Sequence, residues 1–190
     1  MDTKRAFNQL AYQLIYPAVL GSIIFDLADP FRVMSEVRLT GFLIGLCFVV
    51  DYLHMTLNLC KDGSSPYKYG AAIDIVIAFL FCLSYFSLSR TTVPEFDDNL
   101  LKTYFAYSLG YIFFAQLLIL LYEAPLKTIL KLNISYYIPI LISASGLIGL
   151  TFSNKENSIH ILFASLFLTL ATYSYRVFIS SREHNRKESS

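Results

Sequence analysis

Tryptophan is absent from this chain, and charge is scarce: only 15% of its 190 residues are Asp, Glu, Lys or Arg. Ordinary soluble domains carry about a quarter charged residues, so a soluble globular protein of this composition is disfavoured. Net charge is +1, which argues against a nucleic-acid partner. The three cysteines, Cys47, Cys60 and Cys82, all fall in apolar runs or at a predicted cytoplasmic end, so no disulfide framework is expected. The sequence holds no P-loop, no glycine-rich dinucleotide motif, no HExxH and no CxxC pair. No cofactor or metal is called for, and no catalytic residue is assigned. A cleavable signal peptide is not expected either, because the apolar run after Lys4 and Arg5 continues past any small-residue cleavage site and contains Asp26.

What is present is apolar surface. Hydrophobic residues make up 55% of the chain, and mean hydropathy is +0.53. Six runs are candidates to cross a hydrocarbon layer of about 30 Å, near residues 10–27, 39–59, 69–89, 103–123, 134–153 and 158–179. The first is short and is interrupted by Pro17 and Gly21. The expected fold is an all-α, polytopic membrane bundle of about six transmembrane helices. Residues 1–180 form a single bundle, and 181–190 form a polar, disordered cytoplasmic tail. The segments between the runs are too short to hold a soluble domain. The outer segment ADPFRVMSEVR reads as an interfacial turn or a short amphipathic helix opened by Pro30.

Orientation follows the basic residues. Ten lie on the side of the termini: Lys4, Arg5, Lys61, Lys68, Lys127, Lys131, Arg176, Arg182, Arg186 and Lys187. Five lie on the other: Arg32, Arg38, Arg90, Lys102 and Lys155. Both termini are therefore expected in the cytoplasm, in a bacterial inner membrane.

The second span carries ionisable residues where hydrocarbon penalises them. Thr40, Cys47, Asp51, His54 and Asn58 fall within a sector of about 60° at helical periodicity. On the third span, Asp74, Ala78, Cys82, Tyr85 and Ser89 share a face beside Gly70 and Ala71. A rise of about 1.5 Å per residue places Asp51 roughly 14 Å and Asp74 roughly 9 Å from the cytoplasmic boundary. The two spans are joined by a short turn, so Asp51, His54, Asn58, Asp74 and Tyr85 are expected to form one polar seam, structural or serving as an ion or ligand vestibule. Small residues mark helix contacts, with Gly70 and Ala78 on the third span and the Ser145/Gly149 pair on the fifth. Ser165, Thr169, Thr172 and Arg176 share a sector of the sixth span, from which Arg176 is expected to snorkel to the cytoplasmic interface. Lys61, Lys68, Glu123, Lys127, Lys131, Arg176 and Arg182 form a charged rim for a cytosolic partner or lipid headgroups.

Two fragments resemble the intramembrane rhomboid proteases: His54 to Asn58 as HxxxN, and Ser143 to Gly146 (SASG) near their GxSG motif. The resemblance stops there. Ser143 replaces the leading glycine, and Ser145 is expected about 12 Å deeper than the hairpin end, whereas His160 belongs to the first turn of the next span.

The functional expectation is a non-enzymatic membrane subunit, homo-oligomeric, that anchors, senses for or regulates a cytosolic protein. Bacterial two-gene systems, including those of phage defence, use such proteins. The alternative is a small channel or proton-coupled transporter lined by Asp51, His54 and Asp74.

Overall fold

The computed structural model describes residues 10–29, 35–57, 70–91, 98–123 and 134–188. All regular structure among them is helical. A π-helical turn at Ala11–Ile15 leads into α1 (Tyr16–Leu27), followed by α2 (Glu36–Leu57), α3 (Gly70–Arg90) and α4 (Asp98–Glu123). A 3-10 turn at Ile134–Tyr136 precedes α5 (Ile138–Phe152), and α6 covers Lys155–Glu188. The chain is an all-α membrane bundle. Four helices, α2, α3, α4 and α6, are long and apolar enough to cross a membrane, and α1 and α5 are shorter apolar helices packed among them.

Prolines explain the two short helices. Pro17 lacks the N–H that the Gln13 carbonyl would otherwise receive, and the widened turn at Ala11–Ile15 sits where that bond is missing. Pro139 stands in the first turn of α5, where a missing donor costs nothing, and so fixes the start of that helix. The fifth span thus has 15 helical residues, fewer than the 134–153 run suggests, because Pro139 sets its start and Ser153 turns extended. Such a helix is about 22 Å long.

The sixth helix is longer than expected. It continues through Glu188, where the sequence reading places an irregular tail. Arg182, Glu183, Arg186, Lys187 and Glu188 are good helix formers, and Glu183 stands four residues before Lys187 in the favourable order. Polarity alone made that stretch look unstructured.

Helices α3 and α4 pack as a pair, as do α5 and α6. α2 joins the two pairs by lying against both α3 and α6, and α1 rests on α2 and α3. The core runs through Tyr16, Ile44, Phe48, Ile77, Phe81, Phe105, Leu109, Ile112 and Tyr173. Phe25, Leu141, Ile148 and Phe152 point outward, as expected where the surrounding solvent is lipid.

The close contact between α4, α5 and α6 is made by Gly146. A methyl group built there would lie 2.8 Å from Leu109 Cδ2 and overlap the Ser165 side chain. This corrects the expected Ser145/Gly149 pair. Ser145 is exposed, while Ser143, Gly146 and Leu150 form the buried stripe. Ser145 is rotated about 100° from Gly146, enough to move it off the contact. Gly149 keeps a half-buried place against Ile161. Of the other two packing candidates, Ala78 is fully buried and Gly70 opens α3.

Gly146→Ala should destabilise the bundle by about 1–3 kcal/mol through overpacking. Gly110→Ala, at a site with open space around it, should be neutral or slightly stabilising. Thermal unfolding of both variants in one detergent would check the contrast.

Candidate functional site

Two carboxylates with no solvent exposure stand at the centre of the bundle, Asp51 on α2 and Asp74 on α3. Tyrosines from two other helices reach them. Tyr12 and Tyr16 are four residues apart on the first element and project the same way. The Tyr12 hydroxyl donates to Asp74 Oδ2. The Tyr16 hydroxyl donates to the Asp74 main-chain oxygen at 2.9 Å and lies 3.1 Å from Asp51 Oδ2. From α6, the Tyr173 hydroxyl donates to Asp51 Oδ1 at 2.7 Å. Four elements that are distant in sequence therefore converge on two acids.

Aromatic packing fixes the geometry. The Tyr16 ring is stacked between Phe48 (5.1 Å between centroids) and Tyr52 (5.5 Å), and the Tyr52 hydroxyl donates to the Tyr12 carbonyl at 3.2 Å. His54, also buried, meets the Tyr173 ring edge-on at 6.1 Å. Arg176 extends the cluster: its guanidinium lies 4.2 Å from the centroid of Tyr136 and 5.6 Å from that of Tyr173. Only 3% of Arg176 is exposed, which corrects the expectation that it snorkels to the interface. Two aromatic faces offer its weakly hydrated, planar cation a place inside the bundle.

The single expected seam is also corrected. Tyr85 is buried, but its hydroxyl donates to Asp26 Oδ2 at 2.6 Å. It shares a face with Asp74 but lies eleven residues on, about 16 Å along α3. The polar groups thus form two clusters, one in each half of the bundle. In the outer one, Arg38 Nη2 donates to the carbonyls of Leu27 (2.7 Å), Asp29 (3.1 Å) and Asp26 (3.3 Å). These are carbonyls that the end of α1 leaves without helical partners.

Asn58, Lys61, Lys68, Lys127 and Lys131 lie outside the described residues, as does most of the outer segment that begins at Pro30. Glu123 closes α4, and Arg182 lies on the last turns of α6.

Sequence reasoning missed Tyr12, Tyr16, Tyr173 and Asp26 as site residues. The α6 register offered one signal. Thr169, Tyr173 and Arg176 are all buried at i, i+4 and i+7, whereas Thr172, chosen because it is polar, is only half-buried. A tyrosine on a polar stripe is a hydroxyl in search of a partner. Gln116 on α4 is buried too, and among the described residues neither its amide oxygen nor its nitrogen has a hydrogen-bond partner.

No protein-family model, curated protein or solved structure matches this chain. The site must be read from its own geometry. Among the described residues, no group of three or more His, Cys, Asp or Glu side chains is placed to hold a metal ion. What the arrangement can do is couple helices: a change at the Asp74 side chain alters a bond to the Ala11–Ile15 turn, and a change at Asp51 alters bonds to α1 and α6.

Two outcomes follow. Tyr173→Phe and Tyr85→Phe should each cost about 0.5–1.5 kcal/mol and add within about 0.5 kcal/mol, since their clusters are separate. Tyr173→Phe with Tyr16→Phe should depart from additivity, because both hydroxyls contact Asp51; a double-mutant cycle of unfolding free energies decides this. Gln116→Met should raise the melting temperature, because removing a buried amide without partners relieves its desolvation.

Proposed function

We propose that this protein is a non-enzymatic, multi-pass membrane subunit whose carboxylate–tyrosine centre sets the arrangement of its helices for a cytosolic partner. The observation that carries the reading is the convergence of Tyr12, Tyr16 and Tyr173 on Asp51 and Asp74. The hydrogen bonds of this centre tie α1 and α6 to α2 and α3, so one local event reaches four elements. The centre also belongs to the half of the bundle from which the basic rim of Lys61, Lys68, Lys127, Lys131 and Arg182 extends in sequence. The excess of basic residues on that side supports a cytoplasmic location for the rim and both termini. The setting is a plasma membrane, read as a bacterial inner membrane, with the protein acting as a homo-oligomer. A paired soluble effector, as in phage-defence systems, is the kind of partner this role implies.

A second reading is favoured by the burial of two acids and a histidine, Asp51, Asp74 and His54, among the described residues of one bundle. Such residues inside membranes often mark ion or proton pathways. In that reading the protein is a small proton-coupled channel or transporter.

Native mass spectrometry of the tagged protein, gently extracted from its own host, separates the two. The recruitment reading expects a homo-oligomer with one soluble protein in fixed ratio, released when Lys127 and Lys131 are changed to Glu. A chain that arrives alone and conducts ions in liposomes, with conduction lost in Asp51→Asn and His54→Ala, would replace it with the transport reading.

A further inference from the structure

Helices α1 and α2 leave a groove along one side of their contact, with a volume of about 420 Å³. Its walls are Ile24, Leu27 and Ala28 from α1, and Arg38, Leu39 and Phe42 from α2. Spacings of three and four residues put each set on one face of its helix. Two glycines locate this flank. A methyl group built on Gly41 would meet the Tyr85 ring of α3 at 3.1 Å, and one on Gly45 would meet Ile23 of α1 at 3.4 Å. At about 100° per residue, the surface of α2 therefore turns from α3 through the α1 contact to Phe42 and then Leu39. The groove lies beyond α1 as seen from α3, on a flank that faces lipid. Ile24, Leu39 and Phe42 are each about half exposed there.

The end of a helix normally exposes carbonyls that lack helical partners. Beside this groove they are occupied: Arg38 Nη2 donates to the carbonyls of Asp26, Leu27 and Asp29, and the Ala28 N–H donates to that of Ile24. A polar occupant finds little main chain left to bind, whereas a hydrocarbon occupant gives up nothing. Size narrows the choice further. One helical turn, 5.4 Å long and about 10–12 Å across, takes up roughly 400–600 Å³, so a helix of a second copy could seat about one turn at most. An alkyl chain is slender and flexible, and the surrounding bilayer supplies it. No hydrophobic force separates lipid tail from apolar side chain inside a membrane, so dispersion decides. A chain lying between two helices touches protein on more than one side, and a chain on a convex flank touches it on one.

We propose that this groove is a binding site for one acyl chain of a bilayer phospholipid, held between α1 and α2 at the Arg38 end of the bundle. The lipid then forms part of the α1–α2 contact, filling a space that the side chains of the two helices leave open.

The absence of tryptophan from the chain makes the site addressable by fluorescence. Phe42→Trp places a single reporter on the groove. Phe86→Trp places one on α3 at a similar depth, beside the Tyr85 that Gly41 meets, equally half-exposed but outside the groove. Each full-length variant is titrated in detergent with a phospholipid that carries bromine, a contact quencher, on its acyl chain. Phe42→Trp should be half-quenched at a lipid concentration about tenfold lower than Phe86→Trp, a preference of about 1.4 kcal/mol. Adding Ala28→Phe, whose ring fills the groove, should abolish that difference. Equal quenching of the two reporters overturns the proposal, as does a difference that Ala28→Phe leaves intact. A dimer in which Phe42→Trp is shielded from the brominated chain overturns it as well and gives the groove to a second copy. If Ala28→Phe does not fold, the comparison of the two reporters still decides.

Discussion

The constraint on which the rest depends is the burial of Asp51 and Asp74 where water cannot serve them. In hydrocarbon or a packed interior, an acid must find its hydrogen-bond donors within the protein. Tyrosines are among those donors, and they come from other parts of the chain. Satisfying two side chains therefore fixes the relative placement of α1, α2, α3 and α6. The apolar core cannot do this alone, because leucine and phenylalanine faces slide past one another at small cost in a medium as apolar as they are. Directional bonds to Asp51 and Asp74 give the bundle its register, and Gly146 supplies the complementary steric fit among α4, α5 and α6.

The helical pattern was readable because periodicity and length speak directly to element type. The six runs, the burial of Thr40, Cys47, Asp51 and His54 on one face of α2, and the burial of Asp74 and Ala78 on α3 all follow from counting at about 100° per residue. What pattern does not encode is which helix meets which. Asp74 and Tyr85 share a face, yet one serves the centre and the other serves Asp26, because depth along the axis separates them. Tyr12 and Tyr16 passed unnoticed for a related reason. On a span interrupted by proline, two tyrosines look like interface anchors until the partner acids are known. Arg176 was misplaced because a basic residue near a helix end usually reaches outward, and nothing in a single helix reveals that Tyr136 waits on another element to receive it.

The two polar clusters divide the labour between the halves of the bundle. The outer one is a cap: Arg38 and Tyr85 close the end of α1 by taking up its last carbonyls and Asp26. The inner one is a hub, because its bonds cross between four elements. The stacking of Tyr16 against Phe48 and Tyr52 holds the inner end of α1 on α2.

The shortness of α5 has a bearing on the membrane itself. Its exposed residues Leu141, Ile148 and Phe152 belong to a helix of about 22 Å, against a hydrocarbon layer of about 30 Å. A helix shorter than the layer is accommodated by local thinning of the bilayer, by flanking side chains that reach to the interface or by helix association, while the longer α3 and α4 span the full thickness. The cost of such a mismatch falls as the bilayer thins, so membrane thickness bears directly on this flank.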